Sequence, residues 1–180
     1  WISIKAQLLP EKDGEKYFYC VFVDITEEKQ LQERVQELYE KELAYFAQVS
    51  ASGGGIQGRV NLTENRMESY VSTVDAAISQ EGNTYEQTIE SLAASAVDAA
   101  YSEKIRQALD RETVLSDFAA GKVDYRFDFL RRRNDGGLFW GSTSFRSCLN
   151  PQTGDVIGFF YTFDITEQKL QEQLLDKIAQ

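Results

Sequence analysis

The chain has 180 residues, a hydrophobic fraction of 42% and a net charge of −10. This length is enough for one or two domains with a hydrophobic core, while the negative charge argues against a nucleic-acid surface, which needs a basic face. The sequence has no histidine, and this excludes histidine-ligated haem, most zinc sites and the Ser-His-Asp arrangement.

The first residues predict a β-hairpin. Trp1–Val23 holds two strand-like runs around a turn at Asp13-Gly14. Two strands alone are marginally stable in water, so we expect this hairpin to lie on the complete domain or to pair with a neighbouring molecule. The alternative is that the isolated hairpin is an artefact of where this sequence begins. A start at Trp1, inside a strand pattern, indicates a piece of a longer protein.

Residues 27–50 predict one long helix, because no glycine or proline interrupts them. Six positions follow steps of four and three residues, the spacing of a short heptad stripe: Leu31, Val35, Leu38, Glu42, Tyr45 and Val49. This stripe predicts a homodimer through the helix 29–49. The alternative is an amphipathic helix that covers the sheet of its own domain. Glycines 53–55 then end the helix.

The middle of the chain predicts two short strands and a helical region. The strands are Ile56–Asn61 and Met67–Val71. The helical region spans Val74–Gly121, with one helix capped by Thr84, a second at Ser102–Leu109 and a third after Asp110. Three further strands follow at Val123–Arg131, Trp140–Leu149 and Val156–Phe163.

A repeated strand-to-helix ending organises these elements. The residues Asp-Ile-Thr-Glu follow an aromatic strand at 24–27 and again at 164–167, and a tryptophan-led strand precedes each copy. The aspartate can cap the helix, and the glutamate three residues later can reach back to the cap. We therefore expect each strand to continue directly into a helix. The predicted signal-junction residues are Asp24, Thr26, Glu27, Asp164, Thr166 and Glu167.

These residues resemble the end of a PAS domain: a tryptophan-led strand, a glycine-containing turn, a strand rich in valine and phenylalanine, and Asp-Ile-Thr-Glu. The segment Arg131–Trp140 is similar to the basic strand, Asp-Gly turn and tryptophan of that family. The resemblance implies an α+β fold, a five-stranded antiparallel sheet with short helices on one side. It divides the chain into a preceding PAS-like hairpin (1–27), a connecting helix (28–52), a complete PAS-like domain (53–167) and the start of an output-linking helix (168–180).

The PAS resemblance implies a bacterial sensory module that passes a change through the Asp-Ile-Thr-Glu junction to a downstream output domain, such as a two-component histidine kinase or a cyclic-dinucleotide enzyme. The ligand is open. The predicted pocket residues are the aromatic side chains of the strands: Phe127, Phe129, Phe145, Phe159 and Tyr161. The alternative, which each single residue favours, is that these side chains are ordinary core. The alternative is a ligand-free module that dimerises and spaces signalling domains.

The remaining motifs favour no enzyme in this segment, since no nucleophile, base or metal cluster stands out. Cys20 and Cys148 indicate reduced thiols of a cytoplasmic protein, and neither lies where the flavin-binding PAS branch carries its reactive cysteine, which disfavours a photoreactive flavin. No apolar run is long enough to span a bilayer. The triplet Arg131–Arg133 can bind an anion or pair with acids nearby.

Overall fold

The computed structural model describes residues 1–10, 14–52, 55–74 and 78–178. These ranges contain seven strands and five helices. In chain order they are β1 (Ile2–Leu8), β2 (Phe18–Asp24), α1 (Thr26–Ser52), β3 (Ile56–Asn61), β4 (Arg66–Ser72), α2 (Tyr85–Ser95), α3 (Ala99–Ala108), α4 (Arg111–Ala119), β5 (Asp124–Arg132), β6 (Leu138–Leu149), β7 (Val156–Asp164) and α5 (Thr166–Ile178). The turn residue Asp13 and the helix-ending glycines Gly53 and Gly54 lie outside the described residues.

Strands β3 to β7 form one antiparallel sheet in the order β4-β3-β7-β6-β5. Helices α2 to α4 connect β4 to β5 and pack on one face, which we call the inner face. Side chains alternate between the two faces of a strand, so every second residue of β5 (Tyr125, Phe127, Phe129) enters the core on the inner face. This architecture is PAS-like, and it confirms the predicted α+β fold.

Local capping explains where the short helices begin. Thr84 caps α2 with the predicted capping box: its hydroxyl accepts from the N–H of Gln87, and its own N–H donates to the Gln87 side chain. Helix α3 begins at Ala99, three residues before the predicted start, because the carboxylate of Asp98 accepts from the N–H of Ala100.

Helix α1 covers the opposite face of the five-stranded sheet, which we call the α1 face. Tyr39 and Val49 are buried there against Ile157, Phe159 and Tyr161 of β7. The packing is that of the amphipathic alternative. The heptad stripe is thus divided. Glu42 and Val49 are buried against the sheet and Val35 is half-buried, whereas Leu31 and Leu38 are exposed. Tyr45 is 45% exposed, although its ring also packs on Tyr161.

Strands β1 and β2 form a separate two-stranded sheet. Its large side chains are exposed, with Ile4 at 61% and Phe22 at 65% of their full accessible area. One alternative predicted that the hairpin packs on the five-stranded sheet. The described part of the hairpin does not. Its apolar side chains have no cover within the described residues, and pairing with a neighbouring molecule stays a prediction.

Candidate functional site

The inner face of the sheet encloses the first part of the candidate site. Phe127 and Phe129 of β5 and Phe145 of β6 are all buried in one cluster with α2, α3 and α4. The cavity between Phe145, Phe160 and helix α2 has a volume of about 10 Å³, which is about the space of one water molecule. The three phenylalanines thus stand together, in a closely packed interior.

The other two predicted pocket residues lie on the α1 face. Phe159 packs edge-on to Phe46 at 5.6 Å between ring centres, and Tyr161 packs on Tyr45 at 5.0 Å. The register explains this, because Phe145 is paired with Phe160, and Phe160 rather than its neighbours points to the inner face. The prediction that all five aromatic residues share one face is wrong, since Phe159 and Tyr161 lie on the α1 face and Phe160 lies on the inner face. A ligand pocket at these residues stays a prediction.

A polar network beneath α1 attaches the incoming helix to β7. The hydroxyl of Tyr161 donates to Oε1 of the buried Glu42 at 2.9 Å. Arg146 of β6 donates from Nη1 to the other Glu42 oxygen at 3.4 Å and from Nε to Asp124 at 2.5 Å. Burial first, and then the Glu42 carboxylate, raises the pKa of Tyr161 above its ordinary value. Glu42 is therefore a contact between helix and sheet.

The strand-to-helix joint, which we define as Trp140 together with residues 164–167, closes the other end of β7. The N–H of Thr166 donates to Oδ1 of Asp164 at 2.9 Å, and the N–H of Ile165 donates to the carbonyl of Trp140 at 2.8 Å. The Thr166 hydroxyl accepts from the N–H of Trp140 at 2.9 Å. Thus α5 is bonded both to its own strand and to β6.

Asp164 also receives a charged partner. Nη2 of Arg133 lies 2.6 Å from its Oδ2. Partial burial raises the pKa of Asp164, but the hydrogen bonds from Thr166 and Arg133 outweigh that effect and hold the pKa below its ordinary value. No hydrogen bond of the Glu167 side chain is present within the described ranges, so the reciprocal half of the predicted capping box is not seen. The aspartate half of the cap, in which Asp164 accepts from the N–H of Thr166, is the half that is present.

The first copy repeats the same bonds at residues 24–27. The N–H of Thr26 donates to Oδ1 of Asp24 at 2.9 Å, and the N–H of Ile25 donates to the carbonyl of Trp1 at 2.9 Å. The Thr26 hydroxyl accepts from the terminal amino group of Trp1, which stands at the position of the Trp140 N–H, at 2.5 Å. Like Glu167, Glu27 makes no hydrogen bond through its side chain in the described structure. The role of these residues in signalling stays a prediction.

The three arginines of the triplet have three different environments. Arg133 pairs with Asp164, as the acid-pairing alternative predicted for the triplet. Arg132 is exposed, and Arg131 is fully buried on the inner face. The side chains of neighbouring strand residues point to opposite faces, and this separates Arg131 from Arg132.

The two cysteines are both free thiols. Cys20 is exposed, whereas burial raises the pKa of the Cys148 thiol to about 12; neither is in a disulfide. Among the described residues no cluster of histidine, cysteine or acidic side chains has the geometry of a metal site. No helix in the same ranges is both long and apolar enough to cross a membrane.

No protein-family model matches the sequence, and a search of curated proteins returns no match. Solved structures do match. A sensory box histidine kinase/response regulator from Burkholderia thailandensis is 16% identical with a TM-score of 0.42, over 73% of this chain and 91% of that chain. The PAS domain of the fruit-fly ELK potassium channel is 12% identical with a TM-score of 0.47, over 71% and 98% of the two chains.

A third solved structure, an RNA-binding Light-Oxygen-Voltage receptor, is 16% identical with a TM-score of 0.49. The alignment covers 98% of this chain and 43% of that one. The chain is similar to these proteins in structure. The PAS-like assignment of the fold rests on the strand order and on the helices of the inner face described above.

Proposed function

We propose that the chain is a sensory and dimerisation module of a signal-transduction protein, in which β7 passes a change inside the domain to the helix that leaves it. The observation that supports this proposal is that β7 contacts both flanking helices. Tyr161 bonds to Glu42 of α1, and Asp164 leads into α5 with a single residue between strand and helix. A downstream output domain, such as a histidine kinase or a cyclic-dinucleotide enzyme, would receive the displacement of α5.

A signal of this kind needs a ligand or partner that favours one position of β7 over another, because equal affinity for two states shifts neither. The inner face is the place where such a change would arise. Phe160 of β7 is buried there between Tyr70 and the α2 side of the core. Displacement of Phe160 would therefore move β7 at a point four residues before Asp164.

Hydrogen exchange of the purified chain tests this coupling. We expect Phe160→Leu to loosen β7 and to raise the exchange rates of the Ile165 and Lys169 amides, which bond to the carbonyls of Trp140 and Ile165. Cys20→Ala is the matched control, because Cys20 occupies the equivalent position of the exposed first copy. Faster exchange in β7 with unchanged exchange at the start of α5 would contradict the proposal.

The closely packed inner face favours a second candidate, the ligand-free spacer. Pockets for drug-sized ligands have volumes of roughly 300–1,000 Å³, whereas the cavity beside Phe145 has about 10 Å³. Mass spectrometry of small molecules released from the denatured protein separates the two functions. A stoichiometric metabolite supports the sensor, and its absence together with an unchanged thermal midpoint across a metabolite library supports the spacer.

Dimerisation would use the exposed part of α1. Leu31, Leu38 and Tyr45 repeat every seven residues and are 64%, 56% and 45% exposed, the spacing of one seam position in a parallel coiled coil. We expect a dimer by light scattering, and we expect Leu38→Glu to shift it to the monomer. Gln48→Glu, at an exposed position off the stripe, is the control. A monomer for the wild-type chain at high concentration would contradict this part.

A further inference from the structure

Arg131 is the one member of the arginine triplet that lies inside the domain. Its side chain is 0% exposed, because β5 places it on the same face as Phe127 and Phe129. Ala96, directly after the C-terminal end of α2, forms an antiparallel β-bridge with Arg131 and so fixes its backbone. The guanidinium group is therefore built into the inner face.

The hydrogen bonds of this guanidinium are incomplete. Nε donates to the hydroxyl of Ser95 at 3.1 Å, and that hydroxyl in turn donates to the carbonyl of Leu92 at 2.6 Å. Nη1 and Nη2 have no hydrogen-bond partner among the described residues. Arg133, two residues further, has the carboxylate of Asp164 at 2.6 Å. The two terminal nitrogens of Arg131 are thus buried donors without an acceptor.

The walls around the group are aromatic and small. The Arg131 Cζ lies 5.2 Å from the ring centre of Phe139 and 5.9 Å from that of Phe129. A Cβ atom at Gly141 would lie 2.7 Å from the Arg131 Cδ and 3.4 Å from the Thr162 methyl. The glycine therefore leaves the space through which the arginine side chain runs toward β7.

A buried cation without a counter-charge is unfavourable, and a buried arginine stays protonated at neutral pH. Burial lowers the pKa of Arg131 to about 10, which is still well above neutral pH. The two ring contacts offset part of the lost hydration, but they supply no acceptor for the terminal N–H groups. The geometry thus favours an anion that meets Nη1 and Nη2.

We propose that the inner face binds a small carboxylate anion end-on to the two terminal nitrogens of Arg131. A carboxylate is planar and has two oxygens at the spacing of the guanidinium fork, so it accepts from both nitrogens at once. Nε is already bonded to Ser95, and this leaves the end of the group as the binding edge. Formate and acetate are the smallest monocarboxylates and serve as the probes of this site.

This proposal gives a ligand class to the proposed sensory function, on which it rests. The position is suited to that function, because Gly141 is paired with Asp164 across β6 and β7, and Arg131 lies against Gly141. An anion on Arg131 would pull on the side chain that rests on the partner of the joint residue. Its binding energy would favour one arrangement of the joint over the other.

The test compares thermal midpoints of the chain after it has been unfolded, dialysed and refolded, in sodium chloride and in sodium acetate or formate at the same ionic strength and pH. We expect acetate or formate to raise the wild-type midpoint by several degrees. Arg131→Met should abolish that rise, and its midpoint in chloride should equal or exceed that of the wild type. Arg132→Met, on the exposed side of the same strand, should keep the wild-type response.

Three results would overturn the carboxylate site. The first is an equal acetate response in Arg131→Met and the wild type. The second is no response to either carboxylate together with a lower midpoint of Arg131→Met in chloride, which would make Arg131 a structural residue. The third is a response to phosphate alone, which would exclude a carboxylate.

Hydrogen exchange separates this proposal from the signalling function. Acetate should bind through Arg131 and change the amide exchange rates of Ile165 and Lys169. If acetate binds but these exchange rates stay unchanged, the site is supported and its role in signalling is contradicted. No carboxylate response, together with the Phe160→Leu effect on α5, overturns the site and leaves the signalling function standing.

Discussion

The two strand-to-helix endings have the same bonds in very different environments. In both, the isoleucine N–H bonds to the tryptophan carbonyl, at 2.9 and 2.8 Å, and the threonine N–H bonds to the aspartate, at 2.9 Å in each. The first copy lies on a two-stranded sheet with exposed side chains; the second lies in the middle of a packed sheet. The joint is therefore specified locally, by its aspartate, isoleucine and threonine and by one tryptophan.

What differs is the cover over the two copies. Phe159 of the second copy is 0% exposed beneath α1, whereas Tyr19, its equivalent in the first copy, is 57% exposed. Asp164 has an arginine partner, and Asp24 has none among the described residues. The sequence motif is therefore sufficient to form the joint. Only in the second copy is the joint attached to a hydrophobic core in which a ligand or partner would act.

The largest expected effect comes from deletion of the covered aromatic side chain. We expect Phe159→Ala to lower the free energy of unfolding by about 3–5 kcal/mol, the usual cost of a large cavity in a core. Tyr19→Ala removes an exposed ring, so its effect should stay within about 0.5 kcal/mol. Urea denaturation of both variants measures the difference. Equal losses would show that the hairpin is covered as well as the sheet.

A smaller effect is expected from the contact that joins α1 to the second copy only. Glu42→Ala leaves Tyr161 and Arg146 without their shared acceptor, and we expect a loss of about 1.5–3 kcal/mol in the free energy of unfolding. Glu40→Ala, on the exposed side of the same helix, is the control. A double-mutant cycle with Tyr161→Phe measures the coupling between the two residues. Additive losses would show that the 2.9 Å bond carries no coupling.

The threonine hydroxyls test the joint itself. Thr166→Val removes the acceptor of the Trp140 N–H, and we expect a loss of about 1 kcal/mol in the free energy of unfolding. Thr26→Val makes the same change in the first copy, where water can replace the hydroxyl, so its loss should be smaller. Thermal unfolding followed by the helix signal in circular dichroism checks both. A larger loss for Thr26→Val would reverse the comparison.

The smallest expected effect is one of pH. The folded-state pKa of Asp164 is held low by the hydrogen bonds of Thr166 and by Arg133, which outweigh the opposing effect of burial. Its stabilisation is present above the unfolded pKa of about 3.9 and is lost as the pH falls through the lower folded value. Asp164→Asn should flatten this acid loss of stability. Asp24→Asn should flatten it as well, because hydrogen bonds from Thr26 lower the pKa of Asp24. An unchanged acid loss in Asp164→Asn would contradict a lowered pKa of Asp164.

Much of the fold was predictable from local patterns. Alternation at Tyr125, Phe127 and Phe129 correctly predicted a half-buried strand, and Thr84 with Gln87 predicted the start of α2. The start of α3 was missed, because Ala99 and Ala100 are equally good in the middle or at the start of a helix and only the cap at Asp98 decides where it begins.

The candidate site was less predictable. The run from Ile157 to Phe163 is apolar on both faces, so its alternation could not show that Phe159 and Tyr161 point away from Phe160. Arg131 was grouped with Arg132 and Arg133 as one basic triplet, although it continues the alternation of Tyr125, Phe127 and Phe129 toward the core. Its odd-numbered position in this alternation was the feature of the sequence that could have predicted its burial. Glu42 looked like a charged seam position, and only the packing of α1 reveals its contact with Tyr161.

The rigidity of the joint is the central claim, and pulsed electron paramagnetic resonance between two spin labels measures it most directly. The labels stand on the exposed positions Arg126→Cys of β5 and Gln171→Cys of α5, in a chain in which Cys20 and Cys148 have been replaced. We predict one narrow distance distribution, which the double variant Asp164→Ala/Thr166→Val broadens. A broad distribution that is the same with and without the two joint residues would contradict the claim.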